Sequence, residues 1–149
     1  MTKLVQAFLT GVFFTFILDF FIFLGIKLNY IDFHHIDLYY NILFADHQNI
    51  YIYLLFSLII GFIVIYVDNN KLSAVVLGTL FAFVSLTLIA PIGKSVGELI
   101  LSQKDVILQD AKRSYRGDIY YYGRKEVTFY DYKLKKVIIL KRNRLKDID

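Results

Sequence analysis

The chain of 149 residues has no cysteine, no tryptophan and a single proline, Pro91. Without cysteine there are no disulfides, thiolate nucleophiles, iron–sulfur clusters or cysteine-ligated zinc sites. Charge is scarce in the first part: residues 1–92 carry Lys3, Lys27 and Lys71 against Asp19, Asp32, Asp37, Asp46 and Asp68. Residues 93–149 hold the remaining fourteen Lys and Arg against eight Asp and Glu, so a net charge of +4 hides a slightly acidic front and a basic back. No hydrolytic triad, catalytic carboxylate pair or cofactor loop is legible, so we expect no enzyme and no cofactor. Gly93-Lys94-Ser95 matches the end of a phosphate-binding loop. The glycine that motif needs five residues earlier is replaced by Leu88 in an apolar run, so we set it aside.

What the sequence does have is apolar blocks. Residues are 57% hydrophobic and mean hydropathy is +0.53, with the excess concentrated before residue 93. Residues 4–28, 50–67 and 72–92 are each long enough to span a bilayer core, and only the first contains charged residues, Asp19 and Lys27. Lys3 before an apolar run opens as a signal peptide does. The run is too long for that, and no small-x-small cleavage site follows, so we read a retained transmembrane helix. The short turn Asp68-Asn69-Asn70-Lys71 predicts a tight antiparallel hairpin of the second and third helices. Tyr30, Tyr51, Tyr53 and Tyr66 fall at helix ends, where an aromatic belt belongs.

Loop 29–49 has no Lys or Arg between its ends and carries all three histidines. Ile36, Tyr39, Tyr40, Leu43 and Phe44 recur at helical spacing, which predicts a short interfacial amphipathic helix. The punctuation Ala90-Pro91-Ile92-Gly93 marks the end of the third span, and 93–104 follows as a linker helix with Val96, Leu99 and Ile100 on one face. Residues 105–149 form a basic module of short β runs at 106–108, 118–122, 126–132 and 137–140. Ile119 and Tyr121 share one face, and so do Val127 and Phe129. One helical turn near the end precedes the closing residue Ile148. This strand order resembles a small SH3-like or Sm-like barrel. The fold class is thus a three-helix transmembrane bundle with a small C-terminal β-rich module.

Asp19 is the first candidate site. A carboxylate near the bilayer centre is costly, so it marks a functional site or has a partner. Gly11, Thr15 and Asp19 lie four residues apart on one helix face. Ser57 and Gly61 repeat the spacing on the second helix, and Ala74, Gly78 and Ala82, with Ser85 beyond, on the third. Small residues at this spacing let membrane helices approach closely. We therefore expect all three seams to face inward, with Asp19 near Ser57 or Ser85. Packing or assembly is favoured over transport, since no second ionisable group lies at that depth.

His34, His35, Asp37, Asp46 and His47, with Asp32, carry metal-ligand chemistry in a pattern that fits no known ligand spacing, and a solvated acidic loop is the simpler reading. In the tail, Arg113, Arg116, Arg124, Lys125, Lys135, Lys136, Lys141 and Arg142 alternate with tyrosines. They suit anionic lipid headgroups or a partner better than nucleic acid, given the membrane tether. Counting Lys and Arg near span ends, Lys112 and Arg113 included, favours a cytoplasmic tail, whereas Lys3 before the first helix and a loop 29–49 without Lys or Arg favour the opposite orientation; we expect the cytoplasmic tail.

Together these features point to a small multi-pass protein of a bacterial-type inner membrane. It would be a non-enzymatic accessory or scaffold subunit, assembling with itself or a membrane partner through its seams and docking through its basic tail. The alternative is an oligomeric channel or transporter subunit with Asp19 on the pathway. A third helix followed by a small barrel is similar to the small-conductance mechanosensitive channels. The third helix has a modest Gly and Ala content.

Overall fold

The computed structural model describes residues 2–67, 69–110 and 113–146, which form a mostly helical part followed by an antiparallel sheet. Helix α1 is Lys3–Ile26, α2 Tyr40–His47, α3 Ile50–Tyr66, α4 Asn70–Ser85 and α5 Ala90–Leu101. Strand β1 is Gln103–Asp110, β2 Ser114–Tyr122, β3 Glu126–Asp131, β4 Lys136–Lys141 and β5 Leu145–Lys146. Asp68, Lys112 and Ile148, named above, lie outside the described residues.

Local chemistry sets the helix ends. The Asn49 side chain accepts from the Tyr51 and Ile52 amides at 3.0 and 3.2 Å and starts α3. Asn69 does the same for α4 through the Leu72 amide at 3.1 Å. The C-terminal end of α1 widens instead of stopping. The Asp32 amide donates to the Lys27 carbonyl at 3.0 Å, and the helix continues through Ile31. The wider turn lets the adjacent Tyr30 and Ile31 both be buried. Pro91 sits in the first turn of α5, where a missing amide hydrogen removes no helix bond. The third apolar run therefore breaks earlier than expected, after Ser85, through a single tight turn at Leu86–Leu88. There the Thr87 hydroxyl is 2.7 Å from the Val84 carbonyl and 3.2 Å from that of Phe21. By length and hydropathy, residues 3–31 and 70–88 are able to cross a bilayer, and α2 with α3 makes a third span only as a pair bent by 86°.

Helix α1 is central, packing on α3 along its N-terminal half and on α4 and α5 toward its other end. Leu18, Ile60 and Val84 form the apolar contact among α1, α3 and α4. The expected tight hairpin of α3 and α4 is not formed. The two meet mainly near their connecting turn, where the Ser73 hydroxyl donates to the Ile63 carbonyl at 3.1 Å. The outer surface of the helices is apolar, from Phe16 at 48% exposed through Phe13 and Phe62 to Phe83 at 71%.

The sheet is an antiparallel meander, β1 to β4, and β5 returns after a tight turn at Arg142–Arg144 to pair with β1. Val127 and Phe129 are fully buried and form its core with Ile119 and Leu108. Tyr121 leaves that core. The register shifts between Ile119↔Phe129 and Tyr121↔Thr128, a bulge that turns Tyr121 into the helical core with Ile26, Tyr30, Leu43 and Leu101. Only Ser102 separates α5 from β1.

Candidate functional site

The seam between α1 and α3 is built from the smallest residues in both. A Cβ placed on Gly11 would lie 1.7 Å from the Ser57 carbonyl oxygen, and one on Gly61 would lie 2.0 Å from that of Ala7. The two backbones are therefore in direct contact. Further along the seam, Tyr53 donates its hydroxyl to the Val12 carbonyl at 2.9 Å. Thr15 is buried, and its hydroxyl has no hydrogen-bond partner among the described residues. The seam ends at Asp19, which is half-buried. Its partner is Gln48 at 3.0 Å, at the α2–α3 corner, instead of the expected Ser57 or Ser85. The Ser57 hydroxyl turns back to the Tyr53 carbonyl at 2.8 Å. Nothing in residue spacing marks Gln48; only its place beside the cap residue Asn49 puts it at a corner.

The α4 stripe behaves differently. Ala74, Gly78 and Ala82 lie on the exposed face, and a Cβ on Gly78 would meet nothing within 4 Å. Ser85 is half-buried. Helix α4 instead meets α1 through larger side chains, with Phe81 edge-on to Phe21 at 6.2 Å. The face of α5 also differs from expectation. Gly93, Gly97 and Leu101 face inward and let the helix lie against Asn29 and Tyr30, while Leu99 is 85% exposed.

The histidine loop is dispersed, and among the described residues no three His or carboxylate side chains come together. Asp32 pairs with Lys27, and Asp46 with Arg124. His35 adopts a left-handed φ of 54° in the turn after α1, and Asp37 is exposed. His47 ends α2, with Nδ1 3.2 Å from the Leu43 carbonyl and its ring beside Tyr121. The Arg124 hydrogen bond holds the Asp46 carboxyl below its usual range.

His34 joins the helices to the sheet. Its ring lies 4.7 Å from that of Tyr30 and 4.3 Å from that of Tyr120, and the Tyr30 hydroxyl donates to the Tyr120 carbonyl at 2.8 Å. Tyr30 is thus a core residue and not part of an aromatic belt. His34, Tyr30 and Tyr120 line a polar cavity of about 290 Å³ together with Lys94, Glu98 and Lys104. Glu98 and Lys104 pair at 2.7 Å, and Lys94 stands 3.6 Å over the Phe33 ring. Burial, then the charge of Lys94, lowers the His34 pKa from 6.5, against an opposing pull from Glu98. The folded chain therefore binds this proton less readily than the unfolded chain. Stability from this site is complete above pH 6.5 and is lost as pH falls through the folded value. Acidification from about pH 7 to about pH 5 is expected to lower the thermal midpoint. In His34→Phe, which keeps a ring and cannot titrate, that part of the pH dependence should vanish. An unchanged pH profile would contradict the assignment.

The basic residues of the tail separate into groups. Arg116 is held by Asp105 at 2.7 and 2.9 Å. Arg113 is exposed before β2. Lys135, with a φ of 51°, and Lys136 flank the β3–β4 turn. At the opposite end of the same ladder, Arg124, Lys125, Lys141 and Arg142 line one groove of about 650 Å³. Register brings them together: Glu126 pairs with Lys141, and the Arg142 amide donates to the Lys125 carbonyl at 2.9 Å. No family model, curated protein or solved structure matches the chain.

Proposed function

We propose that this chain is a multi-pass membrane scaffold whose helices hold a basic β module at a fixed position over the bilayer surface. The observation that carries this reading is the shared core. Tyr121 of the sheet packs with Ile26 and Tyr30 of α1, Leu43 of α2 and Leu101 of α5. A module joined by one residue and one core cannot swing as a tethered domain does.

Membrane placement is supported by the apolar outer faces of α1, α3 and α4, which exceed what water-facing surfaces tolerate. A 29-residue helix is about 43 Å long, against a bilayer core of about 30 Å. The excess is the end that carries Lys27, Asn29 and Asp32 and receives the sheet. Asp19 then lies level with the start of α3, near the interface and away from the bilayer centre, where a carboxylate with an amide partner is tolerated. This favours a structural role for Asp19 over a place on a conduction pathway. Helix α2, nearly perpendicular to α3, lies along the surface. The strand order of the module, with β5 returning to β1 after a tight turn, supports an SH3-like reading.

Lys27, Lys94 and Lys104 near the module face Lys3 and Lys71 on the other side, which favours a cytoplasmic module in a bacterial-type inner membrane. The partner is a membrane protein or a second copy of the chain. We expect a C-terminal alkaline phosphatase fusion to be inactive and a C-terminal fluorescent fusion to glow; phosphatase activity would reverse the topology. Purification of the full chain in mild detergent should yield a stoichiometric assembly that weakens when the module is uncoupled by Tyr121→Ala. A wild-type chain that purifies as a lone monomer would overturn the scaffold reading.

A further inference from the structure

We infer that the groove between Arg124-Lys125 and Lys141-Arg142 binds the phosphate of an anionic phospholipid headgroup. The inference rests on the membrane placement above and deepens it.

Three observations converge on this groove. First, three of its four cations are available, Arg124 being paired with Asp46. Among the described residues Lys125, Lys141 and Arg142 have no carboxylate within ion-pairing distance, whereas Arg116 and Lys104, elsewhere on the module, are both paired. The Arg142 guanidinium lies 4.8 Å over the Tyr122 ring, which orients it and leaves its N–H groups at the rim free to donate. Among the described residues Glu126 is the one acidic residue in the lining, against four cations.

Second, the groove is built and not a chance run of basic residues. The two dipeptides are 17 positions apart and meet because the β3–β4 register ends there. The backbone bond from Arg142 to Lys125 fixes the spacing of the two pairs. Asn143 adds a neutral polar group beside them.

Third, its height is set by the helices. Arg124 is fixed by Asp46, the penultimate residue of α2. Helix α2 lies at 86° to α3, and its Tyr40 hydroxyl donates to the Phe20 carbonyl at 3.2 Å, so it crosses α1 one residue beyond Asp19. If α3 spans the bilayer, α2 is at the headgroup level, and the groove's Arg124 is joined to it through Asp46. Lys135 and Lys136, at the far end of the same ladder, are held away from that surface. The arrangement thus gives one end of a basic module to the lipid and leaves the other for solvent or a partner.

The test uses the full chain in a neutral detergent, titrated with phosphatidylglycerol and phosphatidylcholine at about 150 mM salt and followed by native mass spectrometry. Wild type should prefer phosphatidylglycerol by about tenfold or more. Raising salt to about 1 M should erase the preference. Lys125→Gln with Lys141→Gln and Arg142→Gln should abolish it, while Lys135→Gln with Lys136→Gln should leave it within about twofold. Equal binding of the two lipids by wild type, or equal losses in the two variants, would overturn the inference. Competition by millimolar inorganic phosphate as strong as that by the lipid would overturn the lipid source. Alkaline carbonate extraction separates the two levels of failure. A chain released by carbonate contradicts the membrane placement itself; a retained chain without lipid preference contradicts only the groove.

Discussion

Gly11→Val should destabilise the helical unit by about 3 kcal/mol, whereas Gly78→Val should change stability by no more than about 0.5 kcal/mol. Both glycines stand on apolar helices and both belong to stripes of small residues, so sequence alone gives them equal weight. Their surroundings differ. A Cβ on Gly11 falls 1.7 Å from the Ser57 carbonyl oxygen and 2.9 Å from the Gly61 amide nitrogen, while one on Gly78 meets nothing within 4 Å. The atoms facing Gly11 are backbone and cannot rotate aside, so α1 and α3 must separate. Separation also loosens the Leu18, Ile60 and Val84 contact that seats α4. Gly11→Ala is the stringent form. Alanine gains up to about 1 kcal/mol in helix propensity over glycine, so a net loss of stability would report the close approach alone. Unfolding of the detergent-solubilised chain in increasing SDS, followed by far-UV circular dichroism, measures all three. Equal effects at Gly11 and Gly78 would contradict the seam.

How much of this was legible in the sequence depends on what each signal encodes. Hydropathy marks where the apolar helices run, and α3 begins at Ile50. A four-residue spacing of small side chains marks a helix face but not what that face meets. The stripes of α1 and α3 complement each other in antiparallel order, Gly11 against Ser57 and Gly61 against Ala7. Helix α4 has the same spacing, yet packs through Phe81 and Val84, which fill the space beside α1 where glycine would leave a void. Pro91 reads as an ending because proline breaks helices, and in a first turn it begins one. The groove was hidden for another reason. Its four cations form two adjacent pairs 17 positions apart in the chain, and only the register of β3 on β4 unites the pairs. Gln48 was invisible as the partner of Asp19, because a corner between two helices leaves no periodic trace.

Tyr121→Ala should release the β module from the helices at a cost of about 3–5 kcal/mol, the range for removing a large buried aromatic. Alternation on β2 puts Ile119 and Tyr121 on one face, and an unbroken strand would bury both in the sheet's own core. The bulge between them divides the pair. Ile119 stays with Val127 and Phe129, and Tyr121, 4% exposed, enters the helical core beside Tyr30 and Leu101. One side chain thus ties the module to three helices. Its hydroxyl is buried without a hydrogen-bond partner among the described residues, so the ring and not the phenol makes the attachment. Tyr121→Phe should therefore be neutral or stabilise by up to about 1 kcal/mol. Arg124→Gln, which removes an exposed ion pair with Asp46, should have little effect on attachment. Limited proteolysis at Ser102–Gln103 reads the outcome: rapid cleavage in Tyr121→Ala, wild-type protection in Tyr121→Phe and near wild-type protection in Arg124→Gln. Protection in Tyr121→Ala would mean that the Tyr30 bond to the Tyr120 carbonyl suffices to hold the module. Cleavage in Arg124→Gln would move its orientation from apolar packing to charge, and the groove that orientation presents would then depend on ionic strength.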